Sequence, residues 1–319
     1  MASAVLVLAA SDDGEAALVA DALTRRSQQV VWLDLSWFPL RASVQAQLTP
    51  SGWIGHIITT PAATVALADV AAVYSHHSPP FAPAEGMSVP ERRFAIVEAR
   101  FGLGGILASL PARWVSHPSA VADAEYKPVQ LAALAAAGLA VPATWMGNDP
   151  SAARAFVSGQ PGGAVYKAIM HKVVSEEGAV KALYTTPVTG ADIDERVAAT
   201  MHQFQHRVRG ARDVRALVTS GGCEAVEITD RTGVARLDYR DHYDTLAYAR
   251  TRLEDGVVRR AQQALTRLGL RSAVFDFAVT ADRTWVYELN PGGQWAWLEE
   301  QTGAPMADLV ADELTGAAP

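Results

Sequence analysis

Cysteine is nearly missing from this chain of 319 residues: Cys223 stands alone, so no internal disulfide and no multi-cysteine zinc site can form. Long apolar runs are missing too. No stretch reaches the roughly 20 consecutive apolar residues that a membrane-spanning helix needs. No basic segment precedes the short apolar run near the N-terminus, so a signal peptide is not expected, and cytoplasm is the expected compartment. Positive charge is also in deficit. A formal net charge of -7 disfavours a nucleic acid as main partner, because a polyanion requires a basic surface. The local exception is Arg207, Arg209, Arg212 and Arg215, a cluster that suits a small polyphosphate. Several catalytic signatures are absent as well: no G-x-x-x-x-G-K-S/T loop, no H-E-x-x-H and no G-x-S-x-G. The histidine pairs His76-His77 and His202/His206 lack further soft ligands, so they read as surface or packing residues, as Cys223 reads as packing.

What is present is a chain with a 50% hydrophobic composition, enough for a large core and about two domains. Ala4 to Ala10, then Ser11-Asp12-Asp13, then an apolar-periodic stretch through Leu18 and Leu23 predict strand, turn and helix. Val30 to Leu35 and Val70 to Tyr74 predict further strands, so the first part is a small α/β unit. Gly102, Gly104 and Gly105 follow a helical pattern rather than a strand; the dinucleotide context fails, and helix packing or a bend is expected. Ser78 to Pro83 reads as an exposed loop.

Beyond it, Ser119 is placed to cap Ala120 to Ala124, and Lys127 to Ala137 predicts a helix stopped by Gly138. Val141 to Met146, Ala164 to Met170, Val214 to Val218 and Ala225 to Thr229 predict strands. Helices are expected from about Gly256 to Leu268 and from Ala304 to Leu314. Lys127 and Lys167 each lie near an element end. Gly162-Gly163, ahead of Lys167, would let backbone approach a ligand.

The most informative segment is Phe275 to Thr280 followed by Trp285 to Trp295. Period-2 alternation puts Phe275, Phe277, Val279, Trp285, Tyr287 and Leu289 on one face and Asp276, Glu288 and Asn290 on the other. With Ala281-Asp282-Arg283 as a three-residue hairpin loop, Thr280 opposes Thr284 and Asp276 opposes Glu288. Two carboxylates and an amide are hard oxygen ligands suited to Mg²⁺.

These residues resemble the ATP-grasp family, in which two α+β lobes grip ATP between antiparallel sheets. More closely, the run from Ala122 to Leu131, Gln205 to Val208, Asp213-Val214-Arg215, Asp238-Tyr239-Arg240, and Asn290 to Trp297 with Glu299-Glu300 look like graspetide synthetases. Those are ligases that crosslink side chains in ribosomally made peptides. Pro90 to Phe94 extends the resemblance into the first unit.

The resemblance implies an α/β and α+β fold, with an N-terminal α/β domain over residues 1–117, a central lobe over 118–202 and a C-terminal lobe with the Mg-ATP site over 203–319. It implies that Lys127 and Lys167 touch ATP phosphates, that Gln205, His206, Arg207 and Val208 form the adenine hinge, and that Asp213 reaches the ribose. Arg215 and Arg240 would face the transferred phosphoryl group; Asp276, Glu288 and Asn290 would hold Mg²⁺. The implied partners are a precursor peptide, leader plus core, and a second copy of the chain. The sequence departs from the family's habit at Gly293, Tyr239, His206 and His76-His77. The alternatives are a ligase adding a free amino acid to a peptide or small carboxylate, and a non-catalytic ATP-binding scaffold.

Overall fold

Ala4–Leu8 (β1) is buried at every position, the mark of a central parallel strand covered on both faces. The computed structural model describes residues 3–59, 63–170, 173–176, 179–232 and 243–316. Strand β1 leads into Gly14–Arg25 (α1), whose N-cap Asp13 accepts the Ala16 N–H at 2.8 Å. Gln29–Leu33 (β2) stops short of Leu35 because the Asp34 carboxylate takes the Ser11 and Ser36 N–H groups, each at 2.8 Å, and bends the chain. Three strands that the sequence reading passed over follow: Ser43–Thr49 (β3), Gly52–Thr59 (β4) and Ala63–Ala66 (β5) form an antiparallel sheet. Val70–Ser75 (β6), Val89–Ala108 (α2) and Arg113–Val115 (β7) complete a parallel sheet of order β2-β1-β6-β7. Gly102, Gly104 and Gly105 lie in α2 as expected, but a Cβ at any of them would meet nothing within 4 Å, so close packing does not require them.

Pro118–Ala124 (α3) is capped by His117 rather than Ser119, the imidazole accepting the Ser119 N–H at 3.3 Å. Lys127–Ala136 (α4) ends ahead of Gly138, whose φ of +79° is a left-handed conformation that favours glycine. Thr144–Gly147 (β8) begins later than Val141 because Pro142 has no N–H for a ladder. Pro150–Ser158 (α5), Ala164–Lys167 (β9), Val173–Glu176 (β10), Ala179–Ala182 (β11), Thr186–Val188 (β12) and His202–His206 (β13) follow, with a sheet of order β12-β9-β13-β8.

Arg212–Thr219 (β14), Cys223–Asp230 (β15), Leu246–Thr251 (β16), Ser272–Val279 (β17) and Thr284–Asn290 (β18) make an antiparallel sheet of order β16-β15-β14-β17-β18. Asp255–Arg267 (α6) packs Val257, Ala261 and Leu265 with Phe275, Phe277 and Leu289 in one core. Ala296–Thr302 (α7) and Met306–Thr315 (α8) then return to the first unit. Met306 and Val310 share a core with Val5, Val7 and Tyr74 of the parallel sheet and Val274 of β17. That shared core seats the segment after Asn290 against α1, which positions the site. Half-buried Cys223 packs on the α6 core, and burial pushes its thiol up to about 12, so it stays protonated.

Candidate active site

The hairpin of β17 and β18 brings Asp276 opposite Glu288, but not through the three-residue loop expected from the sequence. Val279 pairs with Thr284, leaving a four-residue turn, Thr280 to Arg283, closed by the Thr280 N–H to Arg283 carbonyl bond at 2.9 Å. Phe277 pairs with Val286 and Asp276 with Glu288, so Tyr287 is the extra residue of a β-bulge. The longer turn moves the register by one, and the bulge moves it back. The correction concerns the faces. Val286, 0% exposed, joins Phe275, Phe277 and Leu289 in the core, while Trp285 and Tyr287, expected on the same face as those residues, are half-buried elsewhere. Trp285 lies 6.4 Å from the His206 ring, and the Tyr287 ring carries the Lys167 ammonium at 4.2 Å.

Asp276, Glu288 and Asn290 converge as expected. The Asn290 amide nitrogen lies 3.3 Å from Asp276 Oδ2 and 3.4 Å from Glu288 Oε1, and turning the amide over presents its oxygen in the same place. Two carboxylates and an amide oxygen with a partly solvent-open side are the hard-donor set that Mg²⁺ takes, so these residues fit it. The carboxylates are held by cations. Lys127, the first residue of α4, reaches Glu288 Oε2 at 2.6 Å and Gln130 Oε1 at 3.2 Å. Arg215 sits directly across β14 from Asp276 and bonds its Oδ1 at 2.7 Å; its Nε and other Nη reach the Gln294 carbonyl at 3.2 and 3.0 Å. Mostly buried, charge-assisted contacts of this kind fix side-chain position better than exposed ones.

A second group adjoins the first through the bulge. Lys167 ends β9, and Tyr287 lies beside it. Burial and the Asp213 carboxylate push the Tyr287 phenol up, with Arg207 opposing, so Asp213 and Arg207 belong to the same neighbourhood. Gly162-Gly163 is a close approach, though to protein. A Cβ on Gly162 would come within 2.8 Å of the His206 ring, and the Gly163 carbonyl accepts the Arg207 N–H at 2.9 Å. Gln205 is fully buried and donates to Thr144 Oγ1 at 2.9 Å. The His206 N–H is engaged by the Ala143 carbonyl at 2.8 Å, whereas among the described residues the Val208 N–H has no backbone partner. Arg240 lies outside the described residues, as do Asp238 and Tyr239.

Sequence reasoning missed Glu15, His76 and the Gln294-Trp295 peptide. His76, read as a surface or packing residue, is packed at 6% exposure, but between two carboxylates that the sequence did not indicate, with Asp13 Oδ2 2.7 Å from Nδ1 and Glu15 Oε1 2.9 Å from Nε2. Glu15 Oε2 accepts the Trp295 and Ala296 N–H groups at 2.8 and 3.0 Å, which binds α1 to the start of α7. Nothing local signals a contact between residues 280 apart, since it follows from α8 returning to the first unit. At Gly293 a Cβ would come within 2.7 Å of Val274 Cβ, which accounts for glycine there.

No family model and no curated protein matches the sequence. Solved structures match over almost the whole chain. A RiPP-associated ATP-grasp ligase from Chryseobacterium gregarium, in complex with ADP and a leader and core peptide, is 20% identical and superimposes with a TM-score of 0.87 over 99% of this chain and 98% of that one. The macrocyclase MdnC of Microcystis aeruginosa, bound with precursor peptide MdnA, is 22% identical with a TM-score of 0.80 over 99% and 100% of the two chains. The ATP-grasp ligase PsnB, complexed with minimal precursor, Mg and ADP, is 23% identical with a TM-score of 0.73 over 98% and 96%. The sheets, their order and these superpositions together give this chain the ATP-grasp fold, preceded by a parallel α/β unit.

Proposed function

We propose that this chain is an ADP-forming ligase that activates Asp or Glu side chains of a ribosomally made precursor peptide as acyl phosphates and closes ω-ester or ω-amide bonds with Thr, Ser or Lys side chains. The observation that carries this reading is the convergence of Asp276, Glu288 and Asn290 on one strand pair, with Arg215 and Lys127 against the two carboxylates. Asp276, Glu288 and Asn290 would hold Mg²⁺, and Lys127 and Lys167 would hold ATP phosphates. The end of β13, Gln205 to Val208, would take adenine, with the Val208 N–H as donor, and Asp213 the ribose. With ATP bound, Mg²⁺ would spread the phosphate charge and leave the γ-phosphorus open to attack.

Cations are needed because a carboxylate must approach a polyanion. Two like charges 4 Å apart cost ~1 kcal/mol in water and ~4 kcal/mol at an effective dielectric near 20. Arg215 and Arg240 would offset that repulsion. The substrate carboxylate oxygen bonds to the γ-phosphorus as the bond to ADP breaks. The peptide hydroxyl or amine then attacks the acyl carbon, phosphate leaves with its electron pair, and the nucleophile's proton passes to solvent. No covalent bond to the protein is required.

The partners in this reading are the leader and core of the peptide, with a homodimer as the assembly. Phe94 and Phe101, 67% and 73% exposed one heptad apart on α2, are surface that a second copy would cover. A three-part division at 1–117, 118–202 and 203–319 and a cytoplasmic location complete it; among the described residues no helix is long and apolar enough to cross a membrane. The test is mass spectrometry on a candidate precursor, a short peptide rich in Thr or Ser and Asp or Glu, incubated with Mg·ATP. Loss of one water per bond, with ADP and phosphate formed, is the expected result. A gain equal to an added amino acid would transfer the chain to the ligases that extend a substrate.

A further inference from the structure

The Gln294-Trp295 peptide group is gripped from both sides by charge, buried on one side and partly exposed on the other. Its N–H donates to Glu15 Oε2 at 2.8 Å, and its carbonyl accepts two guanidinium bonds from Arg215, which also holds Asp276. A peptide unit is planar, so rotating it to follow one partner moves it off the other. The grip on the far side is fixed in turn. Glu15 contacts His76 Nε2, His76 Nδ1 contacts Asp13, and Asp13 caps α1, while the His76 N–H is tied to the Leu8 carbonyl of β1 at 2.9 Å.

The charges around His76 decide what it does. Asp13 and Glu15, with side chains 10% and 5% exposed, face its two ring nitrogens, so a neutral ring would turn a lone pair toward a carboxylate. Burial pulls the His76 pKa down, but the Glu15 carboxylate in close ionic contact and the hydrogen-bonded Asp13 carboxylate outweigh it and raise the pKa overall. Tyr74 and His77 also pack on the ring, at 5.9 and 4.2 Å; the Tyr74 phenol is held protonated by burial and the two carboxylates. With one cation between two carboxylates the group is net negative, which excludes it as a seat for an anionic substrate. Its ring nitrogens point in different directions, so it does not form a metal site either.

We propose that His76 and Glu15 are positioning residues for ligation: protonated His76 fixes Glu15, Glu15 fixes the Gln294-Trp295 peptide, and that peptide sets the Arg215 fork against Asp276. The role in ligation rests on the proposed function, but the physical coupling can be read without turnover. Titrating ¹⁵N-labelled protein should move the Trp295 amide and the Arg215 Nε resonances with the same midpoint as the His76 ring. His76→Gln and Glu15→Gln, chosen to keep hydrogen-bonding shape, should abolish that shared midpoint.

In turnover with Mg·ATP and peptide, His76→Gln should lower kcat by about tenfold, as is usual when a residue behind a site is lost. It should leave the Mg·ADP affinity within about twofold, since it touches no nucleotide residue, and remove the alkaline fall in kcat. An Arg215 resonance that ignores the His76 titration overturns the proposal even if the protein proves to be no peptide ligase. A folded His76→Gln with wild-type kcat and pH profile overturns it as well. If both glutamine variants fail to fold, the wild-type titration alone decides.

Discussion

Two ionic clusters flank the Gln294-Trp295 peptide, and they differ in access to water. Around Asp276 and Glu288, among the described residues, the side chains of four charged residues keep 11 to 20% of their surface exposed, and two carboxylates meet two cations. Around His76 the three charged side chains keep only 5 to 10%, and two carboxylates share one cation. The first cluster, among the described residues, pairs each carboxylate with a cation, opens to a face lined by Lys167 and Tyr287, and has oxygens that can exchange one positive partner for another. The second is sealed, with its remaining carboxylate charge spent on the N–H groups of Trp295 and Ala296. An ionic cluster that must take and release a ligand needs access and exchangeable partners. One that fixes the frame needs neither.

Breaking the open cluster should have the largest effect on chemistry and little on the fold. Asp276→Ala and Glu288→Ala each remove one of three hard oxygens from a site with few substitutes. ADP release with Mg²⁺ and peptide should drop by at least about a hundredfold, the scale at which a single essential electrostatic partner acts. Circular dichroism should stay native. Turnover near wild type in either variant would strike out the metal assignment.

Breaking the sealed cluster should do the reverse and act first on stability. Glu15→Ala strips the buried Trp295 N–H and the part-buried Ala296 N–H of their acceptor and leaves His76 with one carboxylate, a loss on the order of 3–5 kcal/mol for a broken buried pair. Denaturant unfolding measures it. The pH dependence should follow in sign. The folded pKa of His76 is raised, so its contribution is full below the unfolded value of about 6.5 and is lost as pH rises through the folded value. Wild type should lose stability across that window, and Glu15→Ala should flatten the loss.

The two clusters were also unequally legible in the sequence. Asp276, Glu288 and Asn290 lie 14 residues or fewer apart on one hairpin, where strand parity groups them on one face, although their actual pairing depends on the bulge at Tyr287 offsetting a turn one residue longer than expected. Lys127, Arg215 and the end of β13 needed the family resemblance, because their meeting depends on how separate elements pack. The parallel first unit was readable from its apolar strands. The β3-β4-β5 sheet was not, because its strands alternate in burial weakly and Gly55 interrupts them at a φ of +135°. Glu15 carried no signal in the sequence, and His76 read only as a surface or packing residue. A polar residue reveals its burial only when the distant element that covers it is known, and here that element is the last part of the chain.

The bulge at Tyr287 is the smallest departure from the sequence reading and the easiest to weigh. Strict alternation would put Trp285 and Tyr287 in the core; the observed register puts Val286 there, with 0% exposure, and turns Trp285 toward His206. The two arrangements rank two substitutions in opposite order. In the observed one, Val286→Ala removes two buried methyl groups and should cost about 1–2 kcal/mol, at roughly 0.8 kcal/mol per carbon. Trp285→Ala removes a half-buried ring and should cost less, despite the larger side chain, while weakening Mg·ADP binding through the loss of the wall beside His206. With unbroken alternation Trp285→Ala would be a core truncation worth about 3–5 kcal/mol, and Val286→Ala nearly silent. Urea unfolding of the two variants, with nucleotide affinity measured alongside, separates these cases. A larger stability loss for Trp285→Ala than for Val286→Ala would remove the bulge and, with it, the placement of Tyr287 beside Lys167.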